Sequence, residues 1–163
     1  MNGSIPWIEI AKLSIGVKEI PGKDNNPVIQ KWLTTLKAWW KDDATPWCGT
    51  FVAHCIEAAG LPVAKNWFRA KAWLEYGLPL QAPIYGCIVV FEREGGGHVG
   101  FVVGRCENGN LMVLGGNQGD EVNVRAFARA RVAGYRWPPN TTVPLFKELP
   151  LLAASAPLST NEA

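Results

Sequence analysis

The sequence has little to offer a metal. Of its 163 residues, two are histidine and four are cysteine, and no two cysteines stand in a Cys-x-x-Cys pair. His54 and Cys55 would lie about 9 and 10.5 Å from Cys48 along a helix axis, too far to share one tetrahedral ion. No metal site and no cofactor are expected. A disulfide framework is not expected at this length either, although Cys87 and Cys106 could face each other across strands. The net charge is only +2, and no lysine–arginine cluster is dense enough to track a nucleic-acid backbone. So weak a positive bias still tolerates an anionic polymer. No segment is apolar for long enough to span a bilayer, which argues against stable membrane insertion. Met1–Ile10 carries Glu9 and lacks a basic region followed by an apolar run, so no secretory leader is expected. The glycines at 95–97 lack phosphate-loop spacing and precede a strand rather than a helix. Neither His-Glu-x-x-His nor Gly-x-Ser-x-Gly occurs.

What is present suits one domain with a real core, at 48% hydrophobic residues. Eight tryptophans stand out. Several lie beside polar or glycine-rich loops, where aromatic rings often form platforms for carbohydrate or peptide. Ser4 is placed to cap a helix from about Pro6, and Asn26 and Pro27 to cap and open a second. A further helix is expected from about Asn66 to Tyr76, stopped at Gly77. The pattern then turns to strands at 87–91, 98–104, 111–114, 122–124 and 132–137, with Asn108-Gly109 as a hairpin signal. Residues 92–97 read as a flexible connection. Helices followed by an antiparallel sheet give an α+β class. Residues 1–140 read as the folded domain and 141–163 as a partly disordered C-terminal extension.

The chain is organised around residues 43–60. Thr45 and Pro46 are placed to cap and open a helix whose apolar face carries Phe51, Val52, Cys55, Ile56 and Ala59, with Gly60 as its stop. Cys48 then sits in the first turn, where unpaired N–H groups and the helix dipole favour a thiolate. Cys55, Cys87 and Cys106 lie in apolar runs and read as small buried hydrophobes. A cysteine nucleophile needs a base within hydrogen-bond reach. His54 shares the helix of Cys48 but lies too far along it and points elsewhere. His98 opens a strand after the glycine-rich loop, so Cys48 and His98 make the plausible pair. The base in turn needs an orienter, for which Asn117, Gln118 and Asp120 compete at the end of the next strand. In an extended strand, Gln118 would face away from Asn117. Asp43 reads as a cap or as the group ordering one wall of a site.

At these residues a resemblance appears. Asp43-x-x-x-Trp47-Cys48-Gly49-x-Phe51-Val52-Ala53 resembles the cysteine helix of the papain-like cell-wall hydrolases, the NlpC/P60 and CHAP amidase-peptidases. Gly86–Phe91 followed by Gly97–Val102 is similar to their histidine hairpin, and Gly116-Asn117-Gln118 to the strand bearing the third residue in the CHAP-like branch. The likeness spans roughly Trp7 to Pro138 and is closest to small phage and bacterial proteins. It implies a papain-like α+β fold, with N-terminal helices and a nucleophile helix packed on an antiparallel sheet. It also implies a peptidoglycan hydrolase with Cys48 as nucleophile, His98 as base and Asn117 as orienter. Trp47, Asp43, Gly97 and Gln118, which flank these three, are the candidate substrate-binding residues. The expected partner is bacterial peptidoglycan, met by a monomer made in the cytoplasm. Its delivery to the wall would fall to a holin or a secretion system. The alternatives are a secreted effector or a transferase or deamidase on the same site, and a wall-binding module without turnover.

Overall fold

The computed structural model describes residues 4–22 and 24–153. Three helices come first: α1 (Pro6–Leu13), α2 (Pro27–Thr35) and α3 (Cys48–Ala58). Six strands follow: β1 (Leu78–Leu80), β2 (Ile88–Arg93), β3 (Gly96–Arg105), β4 (Leu111–Gly115), β5 (Asn123–Phe127) and β6 (Val132–Trp137). They form one sheet in the order β1-β6-β2-β3-β4-β5, and every pair of neighbours is antiparallel. The α+β class holds, and the layout is compatible with a papain-like fold. α3 packs on β3 and β4, and α1 packs against both α3 and β4.

The helix starts follow local chemistry only in part. Asn26 caps α2 as expected, its side chain accepting from the Val28 N–H at 2.8 Å ahead of Pro27. α1 is preceded by Ile5 with no side-chain cap, so Ser4 does not serve. α3 begins at Cys48 rather than at Pro46, and its N-cap is Trp47, again without a side-chain bond. Thr45 is engaged elsewhere: its N–H and hydroxyl both donate to Asp42 Oδ1, at 2.7 and 2.8 Å. The expected helix at 66–76 shrinks to a 3-10 segment, Ala70–Glu75. Asn66 takes φ +58, a left-handed value that keeps a helix from starting there.

In the sheet, residues 92–97 are not a loose connection. β2 and β3 pair through Arg93 and Gly96, leaving only Glu94-Gly95 to turn. β1 was not anticipated, because its central proline argues against a strand. It lies at the sheet edge, where a missing N–H is tolerated. β3 runs past the start of β2, and residues 150–152 of the C-terminal extension take up the vacated edge. Arg105 N–H donates to Pro150 O at 2.9 Å and Leu152 N–H to Arg105 O at 2.8 Å. That part of the extension is therefore ordered against the domain; residues 154–163 lie outside the described range. All four cysteines are free and buried, and the Cys106 thiol meets Met112 Sδ at 3.2 Å, so no bridge joins Cys87 to Cys106. Among the described residues no helix is long and apolar enough to cross a membrane.

Asp43 is a fold residue. Its side chain is buried, and Oδ2 accepts from the N–H groups of Ile20 and Asn26, both at 2.8 Å. Its own N–H donates to Asn25 Oδ1 at 3.0 Å. It thus pins the 20–26 loop against the entry to α3, the wall-ordering role rather than contact with a substrate. Asp43→Ala takes the carboxylate from two half-buried N–H donors, and water there replaces part of what each charge-assisted bond of roughly 1.5–3 kcal/mol supplied. Urea unfolding should show a stability loss of about 2–4 kcal/mol. An unchanged midpoint would mean the loop is held by other contacts.

Candidate active site

Cys48 opens α3, so its own N–H and those of Gly49 and Thr50 have no partner within the helix. The helix can press this end onto the neighbouring segment only because residue 49 is glycine. A Cβ there would collide with the backbone carbonyl of Trp67. On the sheet side the thiol lies against the backbone N–H of Val99, the residue after His98 in β3. The thiol is not simply a low-pKa group at a helix start. It is only 6% exposed, and burial pushes its pKa above the ordinary cysteine value. The N–H groups of Val99, Gly49 and Cys48, and the positive charge of Arg93, pull the other way without prevailing. Burial pushes Cys55 far higher and Cys87 up to about 12, with fewer groups or none to oppose it.

His98 is fully buried in β3. Its ring stacks on Phe127 of β5 at 5.3 Å and 5° between planes, and Phe91 of β2 lies near-parallel to both, 4.4 Å from Phe127 and 6.3 Å from His98. Its Nε2 is 3.0 Å from Gln118 Oε1. Which partner donates is decided by the far end of the amide. Gln118 Nε2 shares its two hydrogens among three acceptors, Val113 O at 3.2 Å, Asn123 O at 3.0 Å and Asn123 Oδ1 at 2.9 Å. Flipping the amide would set its oxygen against those acceptors. Oε1 therefore faces His98 and can only accept, so His98 Nε2 carries the hydrogen and Nδ1 is the basic nitrogen of the neutral ring.

The Gln118 contact departs from strand alternation. β4 ends at Gly115, and Asn117 takes φ +59, so the chain has left the extended region before residue 118. The described contact to the His98 ring is thus made by Gln118, placed in the sequence reading among the substrate-binding candidates and expected to face away. Asn117 is buried beside it. Asp120, the third rival, is exposed on the following turn with φ +64.

Two residues escaped the sequence reading. Gly115 makes the Gln118 contact sterically possible: a Cβ there would run into Gln118 Oε1 and stand 3.3 Å from His98 Nε2. The signal for it in the sequence is the smallness of the Gly115-Gly116 pair at the end of a strand. Asn123 clamps Gln118 reciprocally, its own amide donating to Gln118 O at 2.9 Å. Nothing in the local sequence marks it, since the contact is made by a turn.

The remaining candidates serve as follows. Trp47 is buried, its indole N–H donating to Glu19 Oε1 at 3.2 Å, and its ring packs where a Cβ on Gly116 would sit. It forms the floor under the site rather than a surface for substrate. Gly97 is half-buried in β3, its carbonyl accepting from Arg93 Nε at 3.2 Å and its α-carbon close to Lys71. His54 stacks on Trp32 at 4.7 Å, and burial lowers its pKa to about 4. It belongs to the α2–α3 interface. Among the described residues no group of three or more His, Cys, Asp or Glu side chains is placed to hold a metal ion.

Comparison with known families adds one match: the family model described as the CHAP domain covers residues 40–117. It encloses Cys48 and His98 and stops one residue short of Gln118. A search of curated proteins finds no match. A CHAP domain supports a peptidoglycan-directed amidase or peptidase in general, and with it a peptidoglycan substrate.

The Gln118–His98 bond has a direct spectroscopic readout. Nitrogen-15 NMR should show one neutral His98 tautomer with the hydrogen on Nε2. Gln118→Ala should mix the tautomers, and Gly115→Ala, which crowds the amide, should do the same. A single unchanged tautomer in both folded variants would mean that other contacts fix the ring.

Proposed function

From a chain carrying a CHAP domain over residues 40–117, we propose that Cys48 and His98 hydrolyse an amide of the peptidoglycan stem, with Gln118 orienting the base. The bond is either the muramoyl–alanine amide or a peptide bond of the stem or crossbridge, and lysis by a phage endolysin is the role this activity would suit. The observation that carries the reading is the contact of His98 Nε2 with Gln118 Oε1 at 3.0 Å, from which the tautomer of His98 is assigned. With Nε2–H held by Gln118, Nδ1 is the nitrogen available to exchange a proton with the thiol.

In this reading His98 takes the Cys48 proton, and the thiolate attacks the amide carbonyl carbon. The resulting oxyanion is met by first-turn N–H groups of α3, which no side-chain cap occupies. Collapse breaks the C–N bond, and the leaving amine takes the proton from His98. Water, deprotonated by His98, then attacks the thioester. This releases the acid and returns the proton to sulfur. The thiol is buried and its pKa raised, so the helix terminus alone does not ionise it. The thiolate is reached as an ion pair with the imidazolium.

Mass spectrometry of fragments released from purified peptidoglycan tests the activity and identifies the bond. Cys48→Ala and His98→Ala should release none, while His54→Ala should remain near wild type. General acid–base catalysis is worth roughly 100- to 10000-fold, and misorienting the base forfeits part of it. Gln118→Ala should therefore cut turnover by about 10- to 1000-fold, and Asn117→Ala by less. The reverse order would return the orienting role to Asn117. Wall binding with no fragment released by the wild type would favour a non-catalytic module.

Alkylation tests the thiol separately. Cys48 should be the first cysteine labelled by iodoacetamide, since the others lack a base. Its raised pKa means that labelling quickens as pH rises. His98→Ala removes the imidazolium that stabilises the thiolate, so the midpoint should move to higher pH. An unmoved midpoint would dissociate the two residues.

A further inference from the structure

The eight tryptophans are not all accounted for by the core. Trp39 is 90% exposed, far beyond what is usual for so large a ring. It is not isolated. Trp40 meets it edge-on at 5.4 Å and stacks on Trp67 at 5.8 Å, and Phe68, 39% exposed, closes the group at 5.6 Å from Trp67. The four rings form a continuous ledge that the fold leaves in solvent at its outer end.

Its inner end is at the site. The Trp67 carbonyl packs directly on Gly49, next to Cys48. Three residues after Phe68, Lys71 lies against Gly97, next to His98. The segment bearing Trp67 and Phe68 therefore borders both members of the Cys–His pair. Residues 61–74 contain Lys65, Arg69 and Lys71 and no acid; Lys71 is paired with Glu92 of β2 at 2.7 Å, and Arg69 sits 5.7 Å over the Phe68 ring, so Lys65 and Arg69 make the basic rim.

We propose that Trp39, Trp40, Trp67 and Phe68 form a subsite for the glycan strand of the wall polymer. This rests on the peptidoglycan reading and extends it from the scissile amide to the chain that carries it. The chemistry is complementary. A β-linked pyranose with equatorial substituents presents a flat face of axial C–H groups, weakly positive, which suits the negative face of an aromatic ring. Consecutive sugars present such faces in series, as consecutive rings receive them here. The basic rim suits the carboxylates of the stem peptides that hang from the strand. Continuity with Gly49 brings a strand lying on the ledge up to the cysteine with its stem leading into the site.

The test uses the full chain with Cys48→Ala, which cannot turn over, and peptide-free glycan strands as the probe. Calorimetry should show binding to these strands. Adding Trp39→Ala and Phe68→Ala together should weaken it by about 10-fold or more. Leu145→Ala, at an exposed residue that lines a groove with Ile5 and Tyr85, should leave it unchanged. Thermal melts confirm that each variant folds, and Trp39→Tyr, which keeps a ring, should retain most of the affinity. No binding by the parent, or binding unaltered by the double substitution, overturns the subsite. So does binding confined to free stem peptide. Glycan binding that depends on the ledge, beside a wild-type protein that releases no wall fragment, would uphold the subsite and defeat the hydrolase reading. Fragment release with no glycan binding would do the opposite.

Discussion

The candidate site depends on one primary amide being held one way round. Gln118 spends its N–H groups on Val113 O and on Asn123 and so turns its oxygen to His98. Everything the imidazole can do follows from that choice. An acceptor at Nε2 fixes the tautomer and the ring plane together, and the parallel stack on Phe127 holds the plane from the side. The clamp reaches back through β4 and forward to β5, so the two strands outside β3 act as the frame of the base. β3 itself carries both His98 and the Val99 amide that meets the thiol. Nucleophile and base are therefore referred to the same strand, and a shift of α3 along the sheet would disturb both at once.

Close approach makes this arrangement possible, and glycine makes the approach possible. Gly49 lets the start of α3 come down on Trp67, Gly115 leaves room for the Gln118 amide, and Gly116 lets the turn after β4 cross Trp47 and Phe51. None of these three has a left-handed φ. Their value is the missing side chain rather than conformational freedom. Each opens space on a different side of the Cys–His pair. A methyl group at any of the three would separate two elements that the site requires in contact.

This explains which parts of the site were legible in the sequence. The placement of Cys48 at a helix start and of His98 on a strand could be read because each follows a break in a periodic pattern, a feature of local sequence. Five of the six described strands and the first two helices could be read for the same reason. Gln118 could not, because the alternation argument assumes an extended chain and Asn117 leaves that region at φ +59. Trp47 and Asp43 were assigned to substrate because they neighbour Cys48 in sequence. Proximity along a chain says nothing of exposure, and both are buried. The 66–76 segment shows the opposite error. Its apolar spacing is helical, but Asn66 sits in the left-handed region and the Trp67 carbonyl is taken by the Trp73 indole N–H at 3.0 Å. The first turn of a longer helix is thereby lost to a tertiary contact.

The chemistry of the clamp also accounts for glutamine at 118 over a carboxylate. Glutamate would give His98 an acceptor and a charge, and so would stabilise the imidazolium more strongly than an amide does. Its second oxygen, however, would point at Val113 O and Asn123 O, where the amide now donates. Three acceptors facing one another in a dry site is a costly arrangement, and the carboxylate would turn away or take a proton. Asparagine fails differently, being one methylene too short to span His98 and Asn123 from the same backbone. The neutral amide has a further consequence for the proton cycle. In the proposed mechanism the thiolate forms beside the imidazolium and stabilises it. Once the thiolate is consumed in a bond to carbon, that support disappears and His98 is driven to give up its proton. In the proposed mechanism, that is the moment at which the leaving amine needs it.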